Sequence, residues 1–347
     1  RTTEGVRESA VGKIKGFLSG IYSSSGVRGM WDALRRERPD VVNVHNLYPF
    51  ISPAALFECK KAGVPVVMTI HNFRLICPTG LFMRDGLPCE VCLERGNEWS
   101  CVRYNCECNR LKSIGYTLRN VYARWTGAYR KNVAAFACIT DFQRQKLIAA
   151  GYEAERVTVI PNGIDAPTSY DLTGGNYVAY IGRLSYEKGY DLLIEVARRN
   201  PSIPFRFAGA KREQSDMEIP GNVEFMGYLQ KEELSDFICH SRFVVMPSRC
   251  YEGFPMAILE AACYGKPTIG PAHGGFTEII GRGEQAIGDL FEPNNLDDLE
   301  RKVVSLWNRP NEIARLGEKA LEKLKREYSS EVIYQKWDNL FQKLIKE

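Results

Sequence analysis

The stretch YEGFPMAILEAACYG, residues 251–265, decides the fold predicted for this chain. A strand-like run, FVVMPS at 243–248, precedes it, and a turn containing Gly253 and Pro255 follows that run. The pattern predicts a helix over 256–264, with Pro255 suited to its first position and Gly265 ending it. A strand, a turn and a helix in this order indicate a unit of a parallel α/β sheet.

Two carboxylates, Glu252 and Glu260, lie eight residues apart in this stretch. The turn places Glu252 at the mouth of the sheet, where the first N–H groups of the helix can bind phosphate. A carboxylate beside a phosphate site suits an anionic ligand that also carries hydroxyls. The alternative is a solvated turn residue and a surface helix residue. Against it, the Ala-, Ile- and Leu-rich helix is predicted to be mostly buried, and a buried carboxylate needs a partner.

Working outward, the same alternation of strands and helices occurs twice. The chain of 347 residues is long enough for two domains. A Pro-, Gly-, Ser- and Thr-containing segment at 164–176 is predicted to link them. We therefore predict an α/β fold with two Rossmann-like parallel-sheet domains facing a cleft. The predicted parts are a first domain at 1–163 with a Cys-rich insertion at 75–110, a second domain at 177–330, and a helix at 331–347 that packs back on the first domain.

The first two predicted strands, at 41–46 and 64–71, both end in a His–Asn pair. These pairs are His45 with Asn46 and His71 with Asn72. Ligands of open parallel sheets bind beyond the carboxyl ends of the strands, so both histidines are candidates for chemistry. The alternative is that each imidazole only bonds a neighbouring loop.

Arg183 and Lys188 follow the first predicted strand of the second domain. Loops after the strands of one parallel sheet converge at one edge, so these cations are expected to meet Glu252. Two cations beside a helix N-terminus make a diphosphate site. The alternative is a pair of exposed loop charges.

Six of the eleven cysteines lie in the irregular insertion at 75–110. Cys89, Cys92, Cys101 and Cys106 have the best spacing for a zinc ion held by four thiolates. Such a site would be structural, because four thiolates leave no open position for a substrate. Free thiols and disulfides are the alternatives.

Charge and hydropathy restrict the partners. A net charge of +4 is too small to argue for nucleic acid. The sequence shows neither an apolar run of the roughly 20 residues that span a bilayer nor a signal peptide at its start, so a cytoplasmic protein is predicted. A basic helix at 111–133 with interleaved aromatic residues predicts a solvated face, or peripheral contact with the inner membrane.

The motifs EGFPMAILEAACYGKPTI, GRLSYEKG and PNGID resemble those of the retaining GT-B glycosyltransferases of family 4, which use nucleotide sugars. The resemblance spans the whole chain. The segment HNFRLICPTGLFMRDG and the cysteines after it are similar to a subset found among bacterial surface-polysaccharide enzymes.

This resemblance implies a role for each matching residue. Glu252 binds hydroxyls of the donor sugar, and Glu260 binds the ribose. Arg183 and Lys188 hold the diphosphate and stabilise it as it leaves, while His71 faces the sugar. The backbone of the turn adds to the diphosphate contact, through Gly253, Phe254, Pro255, Met256 and Ala257.

The resemblance also implies the substrates. The donor is a nucleotide-diphosphate sugar of the UDP or GDP type, and the acceptor is a glycan or a lipid-linked sugar in polysaccharide biosynthesis. No catalytic metal is expected. No second carboxylate is clearly placed for double displacement. The resemblance implies front-face attack by the acceptor as the route to retention.

One departure is that only helical residues precede the strand at 41–46, where the family begins with a strand and a Gly-rich loop. We therefore expect an incomplete first domain and weak or absent transfer by this chain alone, unless another chain supplies the missing part.

Two alternatives to a transferase are a sugar-nucleotide epimerase, which turns over without an acceptor, and a nucleotide-sugar-binding protein without transfer activity.

Overall fold

The structure is a computed structural model that describes residues 20–48, 51–167, 175–211 and 217–346. The chain divides into two compact units. The first comprises Arg1–Phe82, Glu90–Ile160 and Lys336–Glu347, and the second comprises Met83–Cys89 and Pro161–Gln335. Helix predicted before residue 20 lies outside the described residues.

The first unit is built on four parallel strands: β1 (Val42–Val44), β2 (Val66–Ile70), β5 (Ala135–Cys138) and β6 (Val157–Val159), in that spatial order. Strands β2 and β5 are apolar apart from Thr69 and are buried along their whole length, as expected for parallel strands covered on both faces. The covering helices of this unit are α1 (Ser24–Glu37), α2 (Leu56–Lys61), α3 (Val91–Glu94), α4 (Ser100–Arg103), α5 (Arg110–Thr126), α6 (Ala128–Asn132) and α7 (Asp141–Ala149).

The second unit carries a six-stranded parallel sheet of β7 (Val178–Ile181), β8 (Phe205–Ala208), β9 (Val223–Gly227), β10 (Phe243–Val245), β11 (Thr268–Pro271) and β12 (Gly288–Phe291). The spatial order of the strands is β12–β11–β10–β7–β8–β9. Its helices are α8 (Tyr190–Arg199), α9 (Lys231–Cys239), α10 (Met256–Cys263), α11 (Gly275–Ile280), α12 (Leu296–Trp307), α13 (Pro310–Lys323) and α14 (Ser330–Lys346), whose last part belongs to the first unit.

Strand β7 lies at the point where the strand order reverses, between β8 and β10. Such a switch point separates the loops that leave the carboxyl ends of the two adjacent strands and opens a crevice there. The loops after β7 and β10 carry the cations and Glu252 of the sequence analysis, so the topology sets these residues side by side.

Part of the Cys-rich insertion differs from its predicted place in the first domain. Residues 83–89 form an antiparallel hairpin, β3 (Met83–Arg84) with β4 (Leu87–Pro88), and belong to the second unit. Asn294 anchors the hairpin by donating from Nδ2 to the Gly86 carbonyl over 3.1 Å.

The predicted helix at 111–133 is observed as two helices, α5 and α6, divided at Gly127. None of the helices in the described ranges is long and apolar enough to cross a membrane.

Candidate active site

Lys188 and Glu252 form an ion pair at the switch point, with 2.7 Å between Nζ and Oε1. Both side chains are mostly buried, at 19% and 12% exposure. Burial alone lowers the pKa of Lys188, but the Glu252 carboxylate outweighs it, and the net pKa is raised. The structure therefore brings together a firmly protonated ammonium and a carboxylate that the sequence placed 64 residues apart.

Two glycines permit this close approach of the loops. Gly189 follows Lys188 with a φ of +67°, and a Cβ there would lie 1.9 Å from the Pro247 carbonyl oxygen. Gly275 donates its N–H to the Glu252 carbonyl over 2.9 Å, and a Cβ there would lie 2.5 Å from the Gly253 oxygen. Any larger side chain at either position would push the loops away from the ion pair.

Arg183 lies in the same loop and pairs with Glu187 over 3.3 Å. Its side chain is 42% exposed, so it is the more accessible of the two predicted cations. Its backbone is fixed because the Tyr180 hydroxyl donates to the Arg183 carbonyl over 2.7 Å. The predicted convergence with Glu252 is thus direct for Lys188, whereas Arg183 makes its ion pair within its own loop.

Glu260 lies on α10, in the last turn of the helix, and is half-buried. No hydrogen bond or ion pair to its carboxylate comes from the residues that the structure describes, and burial raises its pKa. A half-buried carboxylate without a partner remains free to accept hydrogen bonds from ligand hydroxyls.

Pro255 does not occupy the first helical position predicted for it. Its ψ of 95° is extended, and it serves as the N-cap of α10, so the helix begins at Met256. Since proline has no N–H group, the donors at this helix start come from the residues around it.

Arg249 is a residue that our sequence reasoning missed. Its guanidinium bonds both carboxylate oxygens of Asp191 at 2.6 Å and the Tyr186 carbonyl at 2.8 Å, while its backbone N–H donates to the Glu187 carbonyl over 2.9 Å. These bonds join the loop that carries Arg183 and Lys188 to the strand end that precedes Glu252. Its position three residues before Glu252 is the one signal that could have identified it.

His273, also missed, lies in the loop between β11 and α11. Its ring is buried and meets the Tyr251 ring edge-on, with centroids 5.3 Å apart. Burial lowers the pKa of His273 to about 4, against smaller opposing effects of nearby backbone groups and Glu252. The imidazole is therefore neutral at pH 7.

We expect His273 to make folding stability depend on pH. The folded pKa of about 4 lies below the ordinary value of 6.5, so stability is fully present above pH 6.5 and is lost as the pH falls towards 4. A difference of this size corresponds to about 3 kcal/mol at most. His273→Gln should flatten the unfolding free energy over this range, as measured by urea titration, whereas His240→Gln at an exposed site should not. Parallel curves for His273→Gln and wild type would contradict this assignment.

The two strand-end histidines of the first unit contact each other. His45 Nδ1 and His71 Nε2 are 2.8 Å apart, and the rings stack with centroids 5.1 Å apart. Burial, followed by the charge of His45, lowers the pKa of His71. One ring nitrogen must donate to the other, so the pair shares a proton at the carboxyl edge of this sheet.

No disulfide joins any of the eleven cysteines, all of which lie in the described ranges. In the predicted quartet, Cys89 falls in the second unit, whereas Cys92, Cys101 and Cys106 fall in the first. A hydrogen bond with Cys106 lowers the pKa of Cys101. Within the described ranges, no three or more His, Cys, Asp or Glu side chains are arranged to hold a metal ion. The zinc site stays a prediction from spacing.

Two family models match adjacent halves of the chain. The model for glycosyltransferase family 4 matches residues 3–167, and the model for glycosyl transferases group 1 matches residues 169–323. The second match contains every predicted donor-site residue, from Arg183 to Glu260.

Individual relatives agree with these matches. A Klebsiella pneumoniae protein described as an uncharacterized 42.6 kDa protein in the cps region is 27% identical over 316 residues, which are 86% of this chain and 77% of that protein. Glycogen synthase of Mycobacterium tuberculosis is 25% identical over 318 residues, 86% of this chain and 67% of the enzyme.

Among solved structures, Anabaena HepE in complex with UDP and glucose has a TM-score of 0.67 at 17% identity. The match covers 91% of this chain and 81% of that one. At this identity the likeness concerns the fold.

Proposed function

This chain belongs to the family 4 glycosyltransferases with the GT-B fold, and we propose that it moves a sugar, with retention, from a nucleotide-diphosphate donor to a glycan or lipid-linked acceptor. Synthesis of a polysaccharide is the process that fits best, since its relatives include a protein of a cps region and a glycogen synthase. Neither an epimerase nor a non-catalytic binding protein is favoured by these relatives.

The Lys188–Glu252 ion pair is the observation that carries the proposal. It supplies a cation for the diphosphate and a carboxylate for sugar hydroxyls within one 2.7 Å contact, beside the start of α10. Arg183 lies in the same loop for the diphosphate, and Glu260 on the same helix offers a free carboxylate for the ribose. In this arrangement, the ligand replaces Glu252 as the partner of Lys188.

The proposed reaction breaks the bond between the anomeric carbon and the diphosphate oxygen. The acceptor hydroxyl attacks from the same face, and its proton passes to the departing phosphate. Negative charge grows on the leaving diphosphate, so Lys188 and Arg183 stabilise the transition state electrostatically. His71, with its pKa lowered, contributes a neutral imidazole toward the sugar.

The first experiment is calorimetric titration of the protein with UDP, GDP and their sugars. We expect one nucleotide to bind, and Glu260→Ala to weaken it at least about tenfold through lost charge-assisted hydrogen bonds to the ribose. Glu300→Ala, which removes a partly exposed helix carboxylate of the same unit, is the matched control and should bind normally.

Each outcome separates the alternatives. Binding of a nucleotide that is insensitive to Glu260→Ala would refute the assigned ribose site. Turnover of the nucleotide sugar to an isomer without acceptor would indicate an epimerase, and binding with no transfer to any acceptor would indicate a binding protein.

A further inference from the structure

Arg119 of α5 is a buried cation in the first unit. Only 6% of the residue is exposed, and its guanidinium lies over the rings of Tyr48 and Tyr116 at 4.3 and 4.8 Å. It donates to the Pro78 carbonyl over 2.7 Å and to the Asn120 side chain over 3.2 Å. It makes no ion pair with any carboxylate in the part of the chain that the structure describes, and Glu107 attracts it only from beyond ion-pair distance.

Arg74 lies close to Arg119 and is a second positive charge that makes no ion pair with a described carboxylate. Its pKa is lowered by burial and then by the charge of Arg119, an electrostatic sign that the two cations repel each other. Glu107 is the acidic group in these surroundings, yet it forms no ion pair with either arginine. Two neighbouring guanidinium groups without a paired carboxylate are costly unless an anion joins them.

The main chain and stem of Arg74 are held in place. The Asn72 side chain accepts from its N–H over 3.0 Å, and Asn120 donates to its carbonyl over 2.6 Å. Its side chain crosses Gly80 so closely that a Cβ there would lie 2.6 Å from Arg74 Cγ. The residue as a whole nevertheless keeps solvent exposure, so a ligand can reach it.

Arg74 lines a concavity at the carboxyl ends of β1 and β2, together with His45, Tyr48, His71 and Asn72. We call this concavity the strand-end pocket. None of the described residues that line it is acidic. The pocket therefore offers hydrogen-bond donors and positive charge, with Arg119 behind the Tyr48 ring adding to the potential.

We infer that the strand-end pocket binds a phosphoryl group carried by the acceptor. A guanidinium matches phosphate oxygens in a bidentate manner, and a phosphate brings the negative charge that the two arginines lack. This inference rests on the proposed transferase function and narrows its acceptor to a phosphorylated one. The phosphoryl group can come from a lipid diphosphate or from a phosphorylated glycan, which present the same chemistry.

Pyrophosphate is the first probe, used on the full chain carrying Arg183→Ala and Lys188→Ala so that the donor site no longer competes. We expect pyrophosphate to bind this variant, and added Arg74→Gln to weaken binding at least about tenfold. Arg103→Gln removes a different exposed arginine of the same unit, one that lies over the Tyr104 ring, and should change nothing. Binding unaffected by Arg74→Gln, or preference for glucuronate over pyrophosphate, would overturn the inference.

Transfer assays then compare a soluble phosphorylated glycan, a polyprenyl-diphosphate-linked glycan and the same glycan without phosphate. A preference for either phosphorylated acceptor that disappears in Arg74→Gln supports the inference and identifies the source. Equal transfer to all three overturns it while leaving the transferase intact. Failure of the wild type to bind any nucleotide sugar would instead contradict the proposed function. Pyrophosphate binding at the strand-end pocket is measured separately and does not depend on that result.

Discussion

Lys188→Met should lower kcat by about 10²- to 10³-fold, the usual cost of removing one group that stabilises developing negative charge. Lys188 is the buried cation of the donor site, and its raised pKa keeps it charged throughout the neutral range. The effect should fall on kcat more than on KM, because the diphosphate gains charge only as it leaves. Steady-state transfer with the nucleotide sugar identified by calorimetry measures it.

The control for this prediction must account for stability. Removing Lys188 leaves Glu252 unpaired at a largely buried site, which costs about 3–5 kcal/mol in comparable cases. Lys188→Met combined with Glu252→Gln should recover much of that stability without recovering activity. Lys302→Met, which breaks a 2.7 Å pair with Asp289 in the same unit, should leave kcat intact. Activity that returned with stability in the double variant would show that Lys188 is structural only.

Much of this site was predictable from the sequence because it depends on chain order. The runs at 177–182 and 243–248 predicted strands, and parallel strands place the loops after them at one edge. That rule was sufficient to bring Lys188 near Glu252 and to place His45 and His71 at the ends of neighbouring strands. It needed only the ends of strands, which apolar runs indicate well.

What the sequence did not reveal depends on which side chain reaches which partner. The Arg249–Asp191 pair joins residues 58 positions apart, and either residue alone reads as an ordinary surface charge. The hairpin at 83–89 belongs to the second unit, whereas the sequence analysis placed the whole insertion in the first domain. A short irregular segment has no periodicity that shows which unit it contacts. Both features are set by tertiary packing rather than by local pattern.

Arg249→Met should reduce the affinity for a nucleoside diphosphate about tenfold or more, although Arg249 is not expected to touch the ligand. Its side chain is 7% exposed and is occupied by Asp191 and the Tyr186 carbonyl. Without these side-chain bonds, the loop that carries Arg183 and Lys188 is held to the strand end before Glu252 mainly by the bonds of the Arg249 N–H and the Ser248 hydroxyl to the Glu187 carbonyl. The loss should be specific for the diphosphate, because Glu260 lies on α10 and does not depend on that loop.

Comparing a nucleoside diphosphate with its monophosphate makes this positioning role testable. In Arg249→Met, the dissociation constant of the monophosphate divided by that of the diphosphate should fall, because only the diphosphate loses affinity. General damage to the unit would weaken the binding of both ligands alike and leave this ratio unchanged. Asp191→Asn, which keeps the shape but removes the charge that holds the guanidinium, should shrink the ratio in the same direction by a smaller factor. Arg206→Met, at an exposed pair with Glu224, is the control. An unchanged ratio in Arg249→Met would mean that the loop keeps its geometry through its other contacts, chiefly Gly189 against Pro247, and that Arg249 contributes only stability.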